Sequence, residues 1–527
     1  MLGLLCVASC GDGCRAPTPE TPKARQKPTL RLVVMTDLDG YLEPCGCQSR
    51  PLGGIDKAAA QLRQLRADGV PTAFVTAGDL LYREDEPFEV VAGGSGEGAI
   101  QRRWEAEALA GILAKLGLVA AAPGRDDLMH GTGGLLDVAK RAGVTLLGYD
   151  LFRGDEGAPH TSMVASLGSA RLGLWGLNGR ELRPTADPMA LAKQLTAELR
   201  AQGATVVVGL LDADARSARK LAGAVSGLDF LVQGGSDNPE APPPERIGST
   251  TLLHAAHRGH GLLVVELTQA GKGPFVDASA WTQRAQDQAA QRQIAELSAR
   301  IAEWARDPGV DRGALQAQQA RLADLQAAQT NAGKHPSASG NTFDARFIEL
   351  GPDAPSDPEV RAAIDALNQR VNAHNREALA NVLPKPAGPG QPSYVGSARC
   401  GQCHAPELAW WKGHPHGNAY ATLERRNVQF NLSCVGCHVT GYNQPGGSTL
   451  AHVDGLTNVG CESCHGPGSL HAVTPRMQTA GNVQREVPET VCRRCHNPEH
   501  SDLFEYSTYR ARLIAPGHGR PTADGKP

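Results

Sequence analysis

CGQCH at residues 400–404, CVGCH at 434–438, CESCH at 461–465 and CRRCH at 492–496 are four copies of one pattern, Cys-x-x-Cys-His. We number these the first to fourth motifs. In this pattern two thiols add to the vinyl groups of one haem, and the imidazole that follows reaches the iron. The four copies use all eight cysteines that follow residue 399. The pattern therefore predicts four covalently attached c-type haems.

Zinc is the alternative, because pairs of Cys-x-x-Cys also bind this metal. Zinc does not require a histidine after every second cysteine, whereas haem attachment does. With 13 cysteines and 17 histidines in 527 residues, chance would produce far fewer than one such motif. We therefore favour haem. The predicted attachment residues and proximal iron ligands are Cys400, Cys403, His404, Cys434, Cys437, His438, Cys461, Cys464, His465, Cys492, Cys495 and His496.

The second axial ligand of each iron decides between electron transfer and catalysis. Ligation by two histidines closes the iron and favours electron transfer, while an open sixth position permits ligand binding. The short span of the four motifs also predicts that the haems pack on one another. The candidate distal ligands in this part of the chain are His414, His416, His452, His471, His500 and His518.

Residues 394–518 resemble the cytochrome c-554 family of tetrahaem electron carriers. The matching stretches are YVG at 394–396, the segment from Trp411 to Ala419, CVGCHVTGY at 434–442 and VGCESCHGPG at 459–468. The resemblance implies three six-coordinate haems and one five-coordinate haem, for which the haem of the second motif is the candidate. It also implies distal iron ligands at His416, His471 and His518. Ligation by His452 would close the second haem instead.

Residues before the haem motifs alternate between short apolar runs and helix-like stretches, which is typical of an α/β domain. The predicted strands are Leu30–Met35, Thr72–Thr76, Thr205–Leu211, Phe230–Gln233 and Gly261–Leu267. The predicted helices between them are Asp56–Ala67, Arg103–Leu116 and Pro188–Gln202.

The same region resembles the calcineurin-like metallophosphoesterases of the 5′-nucleotidase/UDP-sugar hydrolase type, which implies an α/β sandwich. The stretches that carry the resemblance are TDLDG at 36–40, LGG at 52–54, AGD at 77–79, GRDD at 124–127, DFLVQGG at 229–235 and HRGHG at 257–261. That family holds two metals with aspartates, an asparagine and several histidines, and the metals activate a water.

This chain departs from the metal-binding pattern at most positions. Asp37 and Asp79 remain, but the expected histidines are replaced at Asp39, Asp126, Asp212 and at Gly235 or Asp237, and the bridging asparagine by Arg125. We therefore expect an inactive scaffold or binding surface rather than a two-metal hydrolase. The alternative is a vestigial site of Asp37, Asp39, Asp79, Asp126 and Asp212 that binds Ca²⁺ or Mg²⁺ through oxygen atoms alone.

Two further groups of potential ligands lie in this domain. Cys45 and Cys47 lack a following histidine, so we favour a disulfide, for example with Cys14, over a redox or metal role. His254, His257 and His260 have metal-like spacing, but we favour surface or core histidines.

The N-terminus predicts export. Met1–Ser9 is apolar and leads into Val7-Ala8-Ser9-Cys10, which resembles a bacterial lipoprotein cleavage site with a lipid anchor at Cys10. The alternative is an ordinary secretion signal. A net charge of −3 argues against nucleic-acid binding, and no apolar run reaches membrane-span length. We expect a periplasmic or outer-membrane-associated lipoprotein of a Gram-negative bacterium.

The sequence thus predicts a leader and tether at 1–28, an α/β domain at 29–275, a helical hairpin and linker at 276–385, and a mostly helical or irregular tetrahaem module at 386–527. The expected function is electron transfer between a donor and an acceptor that are redox proteins or quinol-linked. One alternative is a redox enzyme that acts on a small nitrogen or sulfur species at a five-coordinate haem. Others are a metal-dependent phosphoesterase with an attached electron-transfer module, and a docking role for the N-terminal domain.

Overall fold

The computed structural model describes residues 27–44, 50–83, 96–129, 131–148, 161–178, 187–306, 312–332, 340–473, 483–497, 500–501 and 503–520. The predicted leader with Cys10 lies outside these ranges, as do Cys14, Cys45 and Cys47. Within them, no helix is both long and apolar enough to cross a membrane.

The N-terminal domain contains two six-stranded mixed sheets. Its strands are β1 (Leu30–Thr36), β2 (Thr72–Gly78), β3 (Leu118–Pro123), β4 (Ser162–Leu167), β5 (Ala170–Asn178), β6 (Val206–Asp212), β7 (Phe230–Gly234), β8 (Glu245–Ile247), β9 (Thr250–Leu253), β10 (Gly261–Thr268), β11 (Val276–Asp277) and β12 (Thr342–Glu349). One sheet has the order β11-β12-β10-β1-β2-β3, and the other has the order β4-β5-β6-β7-β9-β8. All five predicted strands are present, and the α/β prediction is confirmed.

The two sheets pack face to face because their strands are apolar on both sides. In β1, Leu30, Leu32 and Val34 point into the core between the sheets, whereas Val33 and Met35 point to the outer face. Such two-sided burial is typical of parallel strands that are covered on both faces.

Helices cover the outer faces of both sheets. The helices are α1 (Ile55–Arg66), α2 (Glu97–Lys115), α3 (Gly131–Ala142), α4 (Pro188–Ala201), α5 (Ala215–Ala224), α6 (Ala280–Trp304), α7 (Arg312–Ala332) and α8 (Pro358–Ala378). Residues of α1, α2, α3 and α8 pack on the first sheet, and those of α4 and α5 pack on the second. The domain is therefore a four-layer αββα sandwich.

The boundary predicted at residue 275 does not coincide with the end of the sandwich. Strand β12 follows the helical hairpin α6–α7, yet it pairs antiparallel with β10 from Thr268↔Thr342 to Gly261↔Glu349. Phe343 and Ala345 are buried in the core between the sheets. The hairpin is therefore an insertion before the last strand of the first sheet, and 276–385 is more than a hairpin and linker.

The C-terminal module consists of short helices joined by irregular segments, as predicted. The helices are α9 (Ser397–Cys400), α10 (Ala405–Gly413), α11 (Ala419–Arg425), α12 (Leu432–His438), α13 (Cys461–His465), α14 (Ser469–Val473), α15 (Glu489–Cys492) and α16 (Tyr506–Leu513). A small core holds Tyr420, Val435, Tyr442 and Leu450 together with Leu379, which lies just beyond α8.

Candidate haem centres and carboxylate pocket

Each Cys-x-x-Cys-His motif lies on or beside a single helical turn. The second and third motifs lie within α12 and α13, and the first and fourth begin at the ends of α9 and α15. In the first motif, the backbone N–H of His404 donates to the carbonyl of Cys400 at 2.9 Å. A helical turn places residues i, i+3 and i+4 on one side, so two thiols and an imidazole face the same space. This arrangement fits one haem per motif.

Thiols of different motifs lie next to one another. A hydrogen bond from the Cys400 thiol lowers the pKa of Cys461 to about 6, and a bond with Cys437 lowers the pKa of Cys495. The first motif therefore lies beside the third, and the second beside the fourth, so haems attached to them would be close neighbours.

Three of the histidines predicted as proximal ligands each lie close to a second histidine ring. The ring centroids are 6.4 Å apart for His404 and His471, and 6.3 Å apart for His465 and His518. His416 faces the proximal His496 at 5.9 Å.

These separations fit an iron between the rings. Metal–imidazole bonds of about 2.0–2.1 Å place two rings on opposite sides of one metal with centroids roughly 6.3 Å apart. His416, His471 and His518 are the residues to which the resemblance assigned distal ligation. Their ligand roles stay predictions, but the space between each pair suits the predicted cofactor.

Hydrogen bonds at Nδ1 orient several of these rings. Nδ1 lies 2.7 Å from the Ala419 carbonyl in His438, 2.6 Å from the Gln484 carbonyl in His465 and 2.8 Å from the Leu513 carbonyl in His518. A carbonyl oxygen only accepts, so each Nδ1 carries the proton and each Nε2 presents a lone pair. Such partners fix the tautomer that binds metal.

Two of the remaining candidate distal ligands are engaged elsewhere. The Nε2 atom of the partly buried His452 lies 2.8 Å from the carbonyl of Ala380, in the segment after α8. Nδ1 of His414 accepts from the backbone N–H of His416 at 3.2 Å. His416 itself is partly buried, and this burial together with neighbouring histidines lowers its pKa to about 4. At neutral pH it is therefore an uncharged imidazole.

Glu462, the second residue of the third motif, has a structural role that sequence reasoning missed. Its carboxylate is 4% exposed and accepts from the backbone N–H groups of Val395 at 3.0 Å, Gly396 at 2.7 Å and Gly468 at 2.7 Å. Two loops beside the first and third motifs are thus joined by one side chain. The stretches YVG and ESCHGPG, quoted above as separate signals, form one structural unit.

In the N-terminal domain, three aspartates converge where parallel strands of the two sheets end. Ligand atoms of Asp37, Asp79 and Asp212 lie within 4.8 Å of one another, and all three side chains are buried. We call this group the carboxylate pocket. Glycines make room for it, since a Cβ at Gly78 would overlap Oδ1 of Asp37 and one at Gly124 would overlap Oδ1 of Asp79.

Burial and mutual repulsion raise the pKa values in the pocket. The pKa of Asp79 rises to about 9 through burial and the charges of Asp127, Asp212 and Asp126, and that of Asp37 rises well above its usual range. Backbone donors oppose these shifts: the N–H of Gly235 donates to Asp37 and that of Asp126 to Asp79, both at 2.6 Å. The pocket therefore holds protons or binds a cation at neutral pH.

Asp39 and Asp126 lie at the rim of the pocket rather than within it. Asp39 Oδ2 is 3.6 Å from Arg258 Nε, and Asp126 Oδ1 accepts from Arg125 Nε at 3.2 Å. Of the five aspartates in the predicted vestigial site, three therefore converge in the pocket and two lie beside arginines at its rim.

Asp127, the last residue of the GRDD stretch, has a structural role that the sequence does not predict. It is fully buried, and its carboxylate accepts from the backbone N–H groups of Leu80 at 2.8 Å, Leu81 at 2.6 Å, Tyr82 at 3.2 Å and Gly124 at 3.0 Å. This residue orders the loop that follows β2.

The histidines of the last N-terminal motif are buried. His254 Nδ1 is 3.0 Å from the Gln233 carbonyl, and the rings of His257 and His260 meet edge to face at 5.0 Å. Among the residues that the structure covers, they do not form a metal-binding group with each other or with the pocket. They are core histidines, as favoured from the sequence.

Comparison with known proteins gives a family match for part of the C-terminal module. Residues 399–466 match the model of the family described as cytochrome c554 and c-prime. Cytochrome c-554 of Nitrosomonas europaea is 35% identical over 134 residues, which cover 20% of this chain and 57% of that protein. The chain thus spans just over half the length of this relative.

Solved structures similar to this chain include several nucleotidases. The 5′-nucleotidase precursor from Thermus thermophilus is 17% identical, with a TM-score of 0.45, over 85% of this chain and 73% of that one. Haemophilus influenzae NAD nucleotidase is 15% identical, with a TM-score of 0.39, over 46% of this chain and 48% of that one. Thermus thermophilus sulfate thiohydrolase SoxB is 14% identical, with a TM-score of 0.43, over 67% of this chain and 62% of that one.

Different observations describe the two parts of the chain. The four-layer architecture of the N-terminal part follows from the strand order of its two sheets and the helices that cover them. In the C-terminal part, the residues matched by the family model contain the first three of the four motifs. Covalently bound c-type haem follows from that family. The chain therefore joins an αββα sandwich to a C-terminal module that is similar to the cytochrome c554 family.

Proposed function

We propose that this protein is a tetrahaem electron carrier that works outside the cytoplasm. The observation that carries the proposal is the opposition of histidine rings at 5.9–6.4 Å in three of the four motifs. Two histidines on one iron occupy both axial positions, which favours electron transfer over substrate binding. When bound, c-type haems supply one-electron transfer.

The chain's own residues hold, orient and pack the cofactors. The cysteines of each motif attach one haem, and the carbonyl partners of the Nδ1 atoms keep Nε2 of each imidazole available. The adjacency of thiols between motifs, as at Cys400 and Cys461, supports short distances between haems.

The expected location and partners follow from the cofactor and the N-terminal sequence. c-type haems are attached after export, and the stretch before Cys10 resembles a lipoprotein leader. We propose a periplasmic or outer-membrane-associated lipoprotein, anchored through Cys10. Its electron donor and acceptor would be redox proteins or quinol-linked enzymes, and its net charge of −3 does not favour nucleic acid.

A redox enzyme is the second candidate function. In that case the haem of the second motif would keep an open position for a small nitrogen or sulfur species. The contact between His452 Nε2 and the Ala380 carbonyl favours this candidate, because it engages the histidine that would otherwise close the second haem.

For the N-terminal domain we propose a non-hydrolytic role. The carboxylate pocket consists of Asp37, Asp79 and Asp212, whose oxygen atoms suit Ca²⁺ or Mg²⁺ better than zinc. A divalent cation there would neutralise the pocket. Turnover of a chromogenic phosphate ester that is lost in Asp79→Ala would instead support a phosphoesterase.

Intact mass and electron paramagnetic resonance of the oxidised protein, with a CO titration of the reduced form, test the main proposal. Four haems, only low-spin signals and no CO-induced shift are expected for a pure carrier. One high-spin haem that binds CO would favour the redox enzyme. Fewer than four haems would contradict both.

A further inference from the structure

A buried glutamine joins the N-terminal domain to the second motif. Gln101 lies on α2, and its side chain is 1% exposed. Its Nε2 donates to Asn431 Oδ1 at 2.9 Å and to Glu105 Oε1 at 3.0 Å. Its Oε1 accepts from the backbone N–H of Leu432 at 3.1 Å and from Asn375 Nδ2 at 2.8 Å. Both donor hydrogens and both acceptor sites of this amide are therefore used.

The partner Asn431 determines where the haem-bearing helix begins. It is the N-cap of α12, and its Oδ1 also accepts from the backbone N–H of Ser433 at 2.9 Å. Helix α12 carries Cys434, Cys437 and His438. A single oxygen atom thus caps this helix and receives the bond from Gln101.

Further contacts hold the segment just before α12 against the same surface. Asn375 Nδ2 donates to the carbonyl of Phe430 at 2.9 Å, and the backbone N–H of Phe430 donates to Asn372 Oδ1 at 2.8 Å. Both asparagines belong to α8, which packs with α2 on the first sheet. Arg426 pairs with Glu43 of the sandwich at 3.0 Å.

Within the described residues, the contacts that we find around the other motifs lie inside the C-terminal module. Glu462 binds the loops beside the first and third motifs, as described above. Near the fourth motif, the Tyr506 hydroxyl donates to the carbonyl of Val487 at 2.5 Å. The second motif thus differs in having its helix start bound by the sandwich domain.

We propose that Gln101 is a positioning residue for the second haem site, through which the N-terminal domain fixes α12 and the imidazole of His438. The inference rests on the proposed function, because it requires a haem at Cys434 and Cys437. Loss of the Gln101 amide would leave the buried backbone N–H of Leu432 without its acceptor and would remove one of the two donors to Asn431 Oδ1. The start of α12 would then shift, and the ligand field of one iron would change with it.

The test uses the full-length protein with Gln101→Leu, which keeps the bulk of the side chain but removes its hydrogen bonds. Gln64→Leu, at an exposed position on α1, is the matched control. The double variant Cys434→Ala/Cys437→Ala lacks the second haem and thereby identifies its signals in the spectra and in a potentiometric titration. We expect Gln101→Leu to retain four haems and to change only the second haem's resonance and midpoint, while Gln64→Leu changes none.

Unchanged signals of the second haem in Gln101→Leu would overturn the inference, as would an equal change at all four haems. Should Gln101→Leu fail to mature, Asn431→Asp and Asn431→Ala replace it. Aspartate keeps the acceptor for Gln101 and Ser433, so it should leave the resonance of the second haem as in the wild type even though its negative charge lowers the midpoint, whereas alanine should shift the resonance. Equal behaviour of these two variants would also overturn the inference. Fewer than four haems in the wild-type protein would instead refute the proposed function.

Discussion

The carboxylate pocket makes the stability of the N-terminal domain depend on pH in an unusual direction. Burial raises the pKa of Asp79 to about 9, whereas an aspartate in an unfolded chain titrates near 3.9. Between these values the folded state holds a proton that the unfolded state has released. The free energy of unfolding therefore falls as pH rises through this window.

The size of the effect follows from proton linkage. One proton held only by the folded state lowers the free energy of unfolding by about 1.4 kcal/mol per pH unit. From pH 5 to pH 7 the loss is about 2.7 kcal/mol for Asp79. At roughly 2–4 °C per kcal/mol for a domain of this size, the midpoint of thermal unfolding should fall by about 5–10 °C.

Differential scanning calorimetry of the full chain in EDTA measures this dependence. Asp79→Asn keeps the oxygen that accepts from the backbone N–H of Asp126 but removes the titrating proton. Its midpoint should fall less steeply with pH, although Asp37, Asp39 and Asp127, whose pKa values are also raised, still contribute. Asp353→Asn, at an exposed position, is the matched control and should follow the wild type. If the unfolding midpoint changes with pH equally in the wild type and in Asp79→Asn, the reasoning is refuted. If the pocket binds a cation, added Ca²⁺ or Mg²⁺ should make the wild-type midpoint less dependent on pH.

Two further predictions concern the cytochrome module. His416→Ala removes the ring opposite His496, so one low-spin signal should disappear from the electron paramagnetic resonance spectrum. His452→Ala is the control and should leave the low-spin signals unchanged. The reverse pattern would contradict the pairing in the structure. Glu462→Leu leaves three backbone N–H groups without their acceptor, and we expect about 3 kcal/mol of destabilisation, at roughly 1 kcal/mol per lost bond. Thermal unfolding followed through haem absorbance measures this loss, and a midpoint equal to that of the wild type would show that the bonds are dispensable.

Local patterns in the sequence predict much of the fold. Runs such as Leu30–Met35 are mostly apolar, and the strands that they predict are buried on both faces. Strand β12 also has a signal, because Phe343 and Ala345 alternate with polar neighbours. The sequence did not predict β12, because the Ala- and Gln-rich hairpin separates this strand from the rest of its sheet, which begins far earlier in the chain at β1.

The arrangement of the candidate sites depends on contacts that the sequence order does not reveal. His471 follows the third motif in the chain but faces His404 of the first, and His416 follows the first motif but faces His496 of the fourth. Likewise, Asp127 lies beside Asp126 in the sequence, yet one orders a buried loop and the other faces Arg125 at the rim of the pocket. Spacing identifies such residues, and only the packing of distant segments assigns their partners.

One contact between the two parts of the chain lies near the rim of the carboxylate pocket. At the rim of the carboxylate pocket, Asp39 faces Arg258, whose guanidinium lies 5.3 Å from the centre of the Tyr41 ring. Arg83 packs on the same ring at 4.8 Å, and its Nη2 lies 3.5 Å from the hydroxyl of Ser433, the residue before Cys434. A continuous series of charged and aromatic groups therefore runs from the pocket to the second motif.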